Sequence, residues 1–338
     1  MNHGTLPDLL AQRVNNAAPA LIDRGRLVSF RELAAESRRV ARGLQQLGVR
    51  AGDCVALWLP NVPAWLATFL ACAQLGAIAV SVNTRFRSHE LADILHRSRS
   101  RVLLFWPGFK GIDFAGILGS CDPQALEHLQ SVVVYDEAGA HPPAAVLGKA
   151  ALPYMLLAGG APLLENDARP NAGCAIFTTS GTTKAPKFVL HDQRTVISHA
   201  LDVVKAFSIQ SDATMLLAPP LCGVFGFCSA MASLVAGRPT VMAPSWNAEQ
   251  AARDIVAHRI THINGTDEAA AQLLDIDGAS FSNIRFFGYA AFNPAQADIV
   301  RRADARGLKL VGLYGTSEIQ ALFARQDERA PIAERMLG

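Results

Sequence analysis

The 338-residue sequence has no surplus of either charge: 31 Lys and Arg stand against 29 Asp and Glu, a formal net charge of +2. No overall field therefore calls for nucleic acid or an anionic membrane surface as partner, and any polyanion would have to be held locally. Cysteine is present without organisation. Cys54, Cys72, Cys121, Cys174, Cys222 and Cys228 form no CxxC pair and no metal-ligating spacing with histidine. This argues against a disulfide scaffold and suits a reduced, cytoplasmic protein. The opening MNHGTLPDLLAQRV has no basic leader and puts Asp8 inside what would be a signal peptide's apolar core, so export is not expected. One stretch, from Ala213 to Gly237, carries no charged residue, but Pro219-Pro220 and its small or polar interruptions suit buried strands and turns better than a membrane span. No repeat of fixed period is present. The GxSxG elbow of serine hydrolases is missing, so Ser180, His191 and Asp192 gain no support as a triad.

What is there is ordinary globular material. Half the residues are hydrophobic and 18 % are charged, with 26 Gly and 18 Pro, a composition that folds. The length exceeds one ordinary core and implies two lobes or an elongated multilayer α/β body. Apolar positions Leu33, Val40, Leu44 and Leu47 recur at helical spacing up to Gly48. A strand from Cys54 to Leu59, a helix from Ala64 to Leu75 and a strand from Ala77 to Val82 then describe a parallel crossover, continued by strands at 102–105 and 132–135. Residues 136–173 shift towards Ala, Pro and Gly, as a connector would. Beyond them the alternation resumes: strands at 174–177, 215–218, 240–243, 260–263, 284–288 and 309–313, with helices after Asp192, from Ala248 to His258 and from Pro294 to Arg306. The expectation is an α/β protein of two doubly wound sheet subdomains packed as layered lobes, 1–165 and 166–338.

The most informative stretch runs from Phe177 through Thr178, Thr179, Ser180, Gly181, Thr182, Thr183, Lys184, Ala185 and Pro186 to Lys187. A strand ends, and hydroxyls, backbone amides around Gly181 and two ammonium groups follow within one turn. Such a loop offers many donors and no acid, the chemistry that cradles phosphate oxygens. It is not the GxxxxGK[ST] loop, which needs a second glycine and an immediate helix. A polar surface loop is the bland alternative.

The run TTSGTTKAPK resembles the phosphate-binding signature of the adenylate-forming enzymes, the superfamily of acyl-CoA synthetases, aryl-CoA ligases, luciferase and peptide-synthetase adenylation domains. Further stretches agree in order and spacing: Gly52 to Ala56 with Asn61; Val82 to Arg85 with Glu90-Leu91; Pro220 to Gly226; Gly288-Tyr289-Ala290-Ala291; and Tyr314-Gly315-Thr316-Ser317-Glu318. The resemblance implies an acid-thiol ligase that joins a fatty or aryl carboxylic acid to the α-phosphate of ATP, releases pyrophosphate, and passes the acyl group to coenzyme A. It implies that Thr179, Ser180, Gly181, Thr182, Thr183, Lys184 and Lys187 hold the departing phosphates. Glu318 would ligate Mg²⁺ and Ser317 would touch the α-phosphate, so that Lys187, Ser317 and Glu318 carry the chemistry. Tyr314 and Gly315, with Gly288, Ala290 and Ala291, would pack the adenine. Leu221, Gly223, Val224, Phe225, Asn264, Gly265 and Ala290 would line the acid pocket; Phe227 could equally be core. No Asp or Glu lies between Met215 and Ala248 to meet an amino group, so an uncharged acyl or aryl acid fits better than an amino acid. The phosphate-binding bend and Glu318 are expected to share one cleft.

Departures from the family's pattern are informative. Lys184 and Phe188 stand where glycine is usual, Gln193 and Gly223 where histidine is, and Ser317 where threonine is. The sequence stops about twenty residues past Glu318, before the family's ribose-binding aspartate, hinge and lysine-bearing C-terminal domain, so a fragment of low adenylation activity is expected. Two alternatives stay open: a nucleotide binder without turnover, and a domain that loads a carrier protein. A nucleic-acid role would rest on Arg85, Arg87, His89, His96, Arg97, Arg99 and Arg101, a run that reads as a solvated helix face. A homodimer would not be surprising.

Overall fold

The computed structural model describes residues 4–137, 145–179 and 186–336. The chain divides into two compact units, Met1–Asn15 with Arg31–Ile197, and Asn16–Phe30 with Ser198–Gly338. Each is built on one eight-stranded, mainly parallel sheet flanked by helices. Among the described residues no helix is long and apolar enough to cross a membrane.

In the first unit the sheet runs Lys187–Asp192, Gly173–Thr179, Ile78–Ser81, Cys54–Trp58, Val102–Phe105, Ser131–Val134, Lys149–Pro153, Ala145–Val146. The strand Cys54–Trp58 is buried throughout, as a strand covered on both faces must be. The helix Pro63–Leu75 opens on Pro63 and ends at Gly76 with φ 64°, whose amide donates to Ala73 O and Cys72 O. A left-handed glycine there satisfies end carbonyls and turns the chain into Ile78–Ser81. This helix is apolar all round because nearly every residue of it is buried.

In the second unit the order is Ala324–Arg325, Leu310–Tyr314, Phe286–Ala290, His262–Thr266, Met215–Leu217, Thr240–Met242, Pro19–Asp23, Arg26–Ser29. Chain order reverses between Met215–Leu217 and His262–Thr266, a topological switch point, and ligands of open α/β sheets bind at the carboxyl ends of strands flanking such a point. The helices Ala248–Ala257, Asp267–Leu274 and Ile299–Ala305 share one apolar cluster over Ile263, Phe287 and Leu310. The charge-free stretch from Ala213 resolves into the strand Met215–Leu217, a turn and the buried helix Val224–Ala236.

Several elements correct the sequence reading. The stretch taken as a connector holds the hairpin of Ala145–Val146 and Lys149–Pro153, and the second of these extends the first sheet beside Ser131–Val134. The strand Gly173–Thr179 pairs with Ile78–Ser81, which carries the first unit through Ile197 instead of to residue 165. The hairpin Pro19–Asp23 and Arg26–Ser29 joins the second sheet beside Thr240–Met242. The span Pro294 to Arg306 is not one helix but a short 3₁₀ turn, Pro294–Gln296, followed by Ile299–Ala305.

Candidate functional site

In the first unit, Gly173–Thr179 and Lys187–Asp192 are antiparallel partners, with Thr179 opposite Lys187 and Thr178 opposite Phe188. The two ends of the candidate phosphate-binding bend are thus brought side by side. Ser180, Gly181, Thr182, Thr183 and Lys184 lie outside the described residues. The strand Lys187–Asp192 is an element the sequence reading missed. Its burial does not alternate, so periodicity could not reveal it.

The backbone at Phe188 is not in the left-handed region, so the glycine usual there is not demanded by conformation. Phe188 packs against the apolar cluster that includes Ile94, Leu95 and Ile176. Gln193, at the position of the usual histidine, is fully buried. Its Oε1 accepts from Leu6 N at 2.9 Å and its Nε2 donates to Ala73 O at 2.9 Å. The carboxamide joins the N-terminal helix Leu6–Arg13 to the end of Pro63–Leu75, a structural task.

The second unit gathers most of the remaining candidates at the carboxyl ends of neighbouring strands. Asn264 and Gly288 are in register, as are Gly265 and Tyr289, and Thr266 and Ala290. Leu217 lies beside Asn264 across the switch point. The turn that follows Leu217 carries Leu221, which is buried, and Gly223, which precedes the helix Val224–Ala236. Gly223, Val224 and Phe225 are half-buried, whereas Phe227 is part of the core. Asn264 is wholly buried; its Nδ2 donates to Ser229 Oγ at 3.1 Å, and Ser229 Oγ donates to Phe225 O at 2.9 Å. Its Oδ1 has no hydrogen-bond partner among the described residues. A Cβ at Gly288 would sit 2.7 Å from that oxygen and 2.5 Å from Leu313 Cδ1. Glycine at 288 therefore follows from close approach, not from a special turn.

The strand Leu310–Tyr314 leads into a tight loop. Ala321 N donates to Thr316 O at 2.8 Å and Phe323 N to Tyr314 O at 3.1 Å. The backbone of Ala321 lies where a side chain on Gly315 would have to go. Gln320 and Ala321 hold φ of 60° and 49°, a conformation that side chains adopt only when the surroundings enforce it and that concentrates at functional sites. Between these fixed ends stand Ser317, half-buried, and Glu318, exposed. Tyr314 keeps 64 % of its surface exposed.

The sequence reading also missed Asp267. This carboxylate is 2 % exposed; Oδ2 accepts from Phe292 N at 2.8 Å and Asn293 N at 2.7 Å, and Oδ1 accepts from Glu268 N at 2.9 Å. It fixes the turn just after Ala290 and exposed Ala291. Nothing in the sequence marked this acid, because its burial and its three backbone donors are set by tertiary structure.

All six cysteines are buried, and none of them forms a disulfide. Burial raises the thiols of Cys54 and Cys121 to about 11 and pushes Cys72, Cys174 and Cys228 higher still.

Comparison with known proteins bears on the family and the fold. A family model described as AMP-binding enzyme matches residues 10–335. The chain is 28 % identical over 93 % of its length to the medium-chain acyl-CoA ligase ACSF2 of Mus musculus, of which it covers 55 %. It shares its fold with the anthranilate CoA ligase AuaEII in complex with anthranoyl-AMP, at TM-score 0.82 and 24 % identity over 95 % of this chain and 61 % of that one. The fold is also that of o-succinylbenzoate CoA synthetase from Bacillus subtilis in complex with ATP and magnesium ion, at TM-score 0.77 and 24 % identity over 95 % and 62 %. The chain spans 55 to 63 % of the length of curated relatives such as these. With the match running over nearly its whole length, the chain belongs to the AMP-binding enzyme family.

Proposed function

We propose that the chain is the nucleotide- and acid-binding portion of an enzyme that activates a fatty or aryl carboxylic acid with ATP and passes it to coenzyme A. The observation that carries this reading is the row of parallel strand ends in the second unit, where Asn264-Gly265, Gly288 to Ala291 and Tyr314 to Glu318 stand on three neighbouring strands beside the switch point.

A carboxylate is a poor acyl donor, and its attack on the α-phosphate sends charge onto departing pyrophosphate. Thr179 and Lys187, adjacent across their hairpin, supply a hydroxyl and an ammonium to β- and γ-phosphate oxygens, where fixed donors stabilise developing charge better than water does. Ser317 offers a hydroxyl to the α-phosphate. The exposed ring of Tyr314 gives the adenine a flat apolar face, and Gly288, Ala290 and Ala291 let the backbone approach it. The acid lies against half-buried Gly223, Val224 and Phe225, while buried Leu221, Asn264 and Gly265 support that surface, and the absence of Asp and Glu from residues 215–248 favours an uncharged tail.

The exposed carboxylate of Glu318 is the hard oxygen donor that Mg²⁺ takes alongside phosphate oxygens and water. When bound, the ion supplies charge neutralisation between phosphates.

Pyrophosphate exchange with labelled pyrophosphate, run across a panel of fatty, aryl and amino acids with and without magnesium, tests this reading. Slow exchange dependent on one uncharged acid class and on magnesium is expected. Tight MgATP binding with no exchange for any acid would favour a nucleotide binder without turnover. Exchange confined to amino acids would favour carrier loading.

A further inference from the structure

Phe188 is the departure from the family pattern that the proposed function leaves unused, and its surroundings give it a task. The guanidinium of Arg97, on the helix Ser88–Ser98, stands over the Phe188 ring with Cζ 4.1 Å from the ring centroid. The same group donates through Nη2 to the carbonyl of Pro186 at 2.6 Å. Arg97 is itself aimed by Asp93, one helical turn earlier: Nε donates to Oδ1 at 2.9 Å and Nη2 to Oδ2 at 2.7 Å. A fork held at two points by a carboxylate has little freedom left. Phe188 also packs against the apolar cluster of the first unit.

Arg97 thus grips the residue before Lys187 and the residue after it. Successive side chains of a strand point to opposite faces, so the ring at 188 can be clamped while the ammonium at 187 remains exposed on the other face. Glycine at 188 would give the guanidinium no ring. Lysine in place of Arg97 would keep the charge but lose the planar fork that meets Asp93 and Pro186 together.

We infer that Arg97, through Phe188 and Pro186, is the positioning residue for Lys187, fixing the backbone from which that ammonium reaches a polyphosphate. The inference rests on the phosphate-binding reading of Lys187. Phe188, in this light, is half of a clamp, which gives the ring a task at a position where the family resemblance has glycine.

Calorimetric titration of the purified protein with MgATP, and separately with inorganic pyrophosphate, tests it. Lys187→Ala is expected to weaken both by about tenfold. Arg97→Gln is expected to weaken both to a similar degree, because small misplacements of a charge-bearing group have large effects. Arg97→Gln added to Lys187→Ala is expected to change nothing further, since its effect runs through the missing ammonium. Phe188→Tyr, which keeps the ring, is expected to retain wild-type affinity, while Phe188→Leu, which keeps the apolar packing, weakens binding about threefold through loss of the ring face alone. Circular dichroism and the thermal midpoint establish that each variant is folded, and the Phe188 pair carries the test should Arg97→Gln fail to fold. Wild-type affinities in folded Arg97→Gln, equal affinities in Phe188→Tyr and Phe188→Leu, or effects of Arg97→Gln and Lys187→Ala that multiply would overturn the positioning role and leave the reading of Lys187 standing. Unchanged affinities in Lys187→Ala would remove the phosphate-binding reading and the clamp's purpose together.

Discussion

Asn264 and Ser229 are joined by a 3.1 Å hydrogen bond that ties the strand His262–Thr266 to the helix Val224–Ala236. Since Ser229 is bonded in turn to Phe225 O, the carboxamide cannot turn aside freely, and its Oδ1 lies over Gly288. Gly288→Ala forces a methyl within 2.7 Å of that oxygen, and although Leu313 can rotate away, Asn264 has no comparable escape. The expected loss is about 1–3 kcal/mol, read from urea unfolding. Combining it with Asn264→Ala should recover part of the loss, and a strictly additive pair would show that the two residues do not press on one another.

Asp267 gives a second prediction. Its two oxygens accept three backbone amides. An asparagine there must turn its NH₂ towards either Glu268 N or the pair at Phe292 and Asn293, so one side always meets donor with donor. Asp267→Asn is therefore expected to destabilise by about 1–3 kcal/mol. It should also loosen the turn after Ala290 and Ala291, raising the MgATP dissociation constant more than that of pyrophosphate, because pyrophosphate has no adenine. Equal effects on both ligands would show that the turn does not serve the base.

Much of this architecture was legible in the sequence, and for identifiable reasons. The strands 54–59, 102–105 and 215–218 stood out because a parallel strand covered on both faces is a continuous apolar run. The helices 64–75 and 248–258 are present close to where they were read; in the structure Gly76 closes the first and Asn247 caps the start of the second. Strands at or next to the sheet edges escaped. Arg26–Ser29, Lys149–Pro153 and Lys187–Asp192 are short, partly exposed and without alternation, so nothing local distinguishes them from loop. In the candidate site, Tyr314 to Glu318 and Gly288 to Ala291 were readable as motifs. Asp267 and the Arg97 clamp were not, since each acquires meaning only from a partner far away in sequence: Phe292 for one and Pro186 for the other. Gln193 was noticed as a substitution, but its bonds to Leu6 and Ala73 belong to tertiary structure.

The thiols yield a chemical prediction. A thiol with its pKa at about 11, as in Cys54 and Cys121, is only ~0.1 % thiolate at pH 8, and burial blocks the reagent as well. Ellman's reagent should therefore find almost no reactive thiol in the native protein and six after denaturation. A fast-reacting thiol in the folded protein would show that one of these sites opens readily.

The burial of His262 predicts a loss of stability on the acid side. The ring is 2 % exposed, and burial is the main cause that lowers its pKa below the ordinary 6.5; nearby Arg285 acts in the same direction, while the Phe207 carbonyl and Asp212 oppose it. Because a carbonyl can only accept, the 2.9 Å contact to Phe207 O places the proton on Nε2, leaving Nδ1 to accept from the Thr261 hydroxyl at 2.7 Å. The folded state thus binds a second imidazole proton more weakly than the unfolded chain. Stability from this group is complete above pH 6.5 and is lost as the pH falls from there through the lowered value, the interval in which only the unfolded state gains the proton. The carboxyl of Asp212 does not confuse the measurement, since its hydrogen bonds to Arg285 hold it at about 2, well outside that interval. Unfolding free energies taken between pH 7.5 and 5 should therefore decline on the acid side, and His262→Asn should flatten the decline even if it lowers the stability at every pH. A slope that survives the substitution would assign the proton uptake to another histidine.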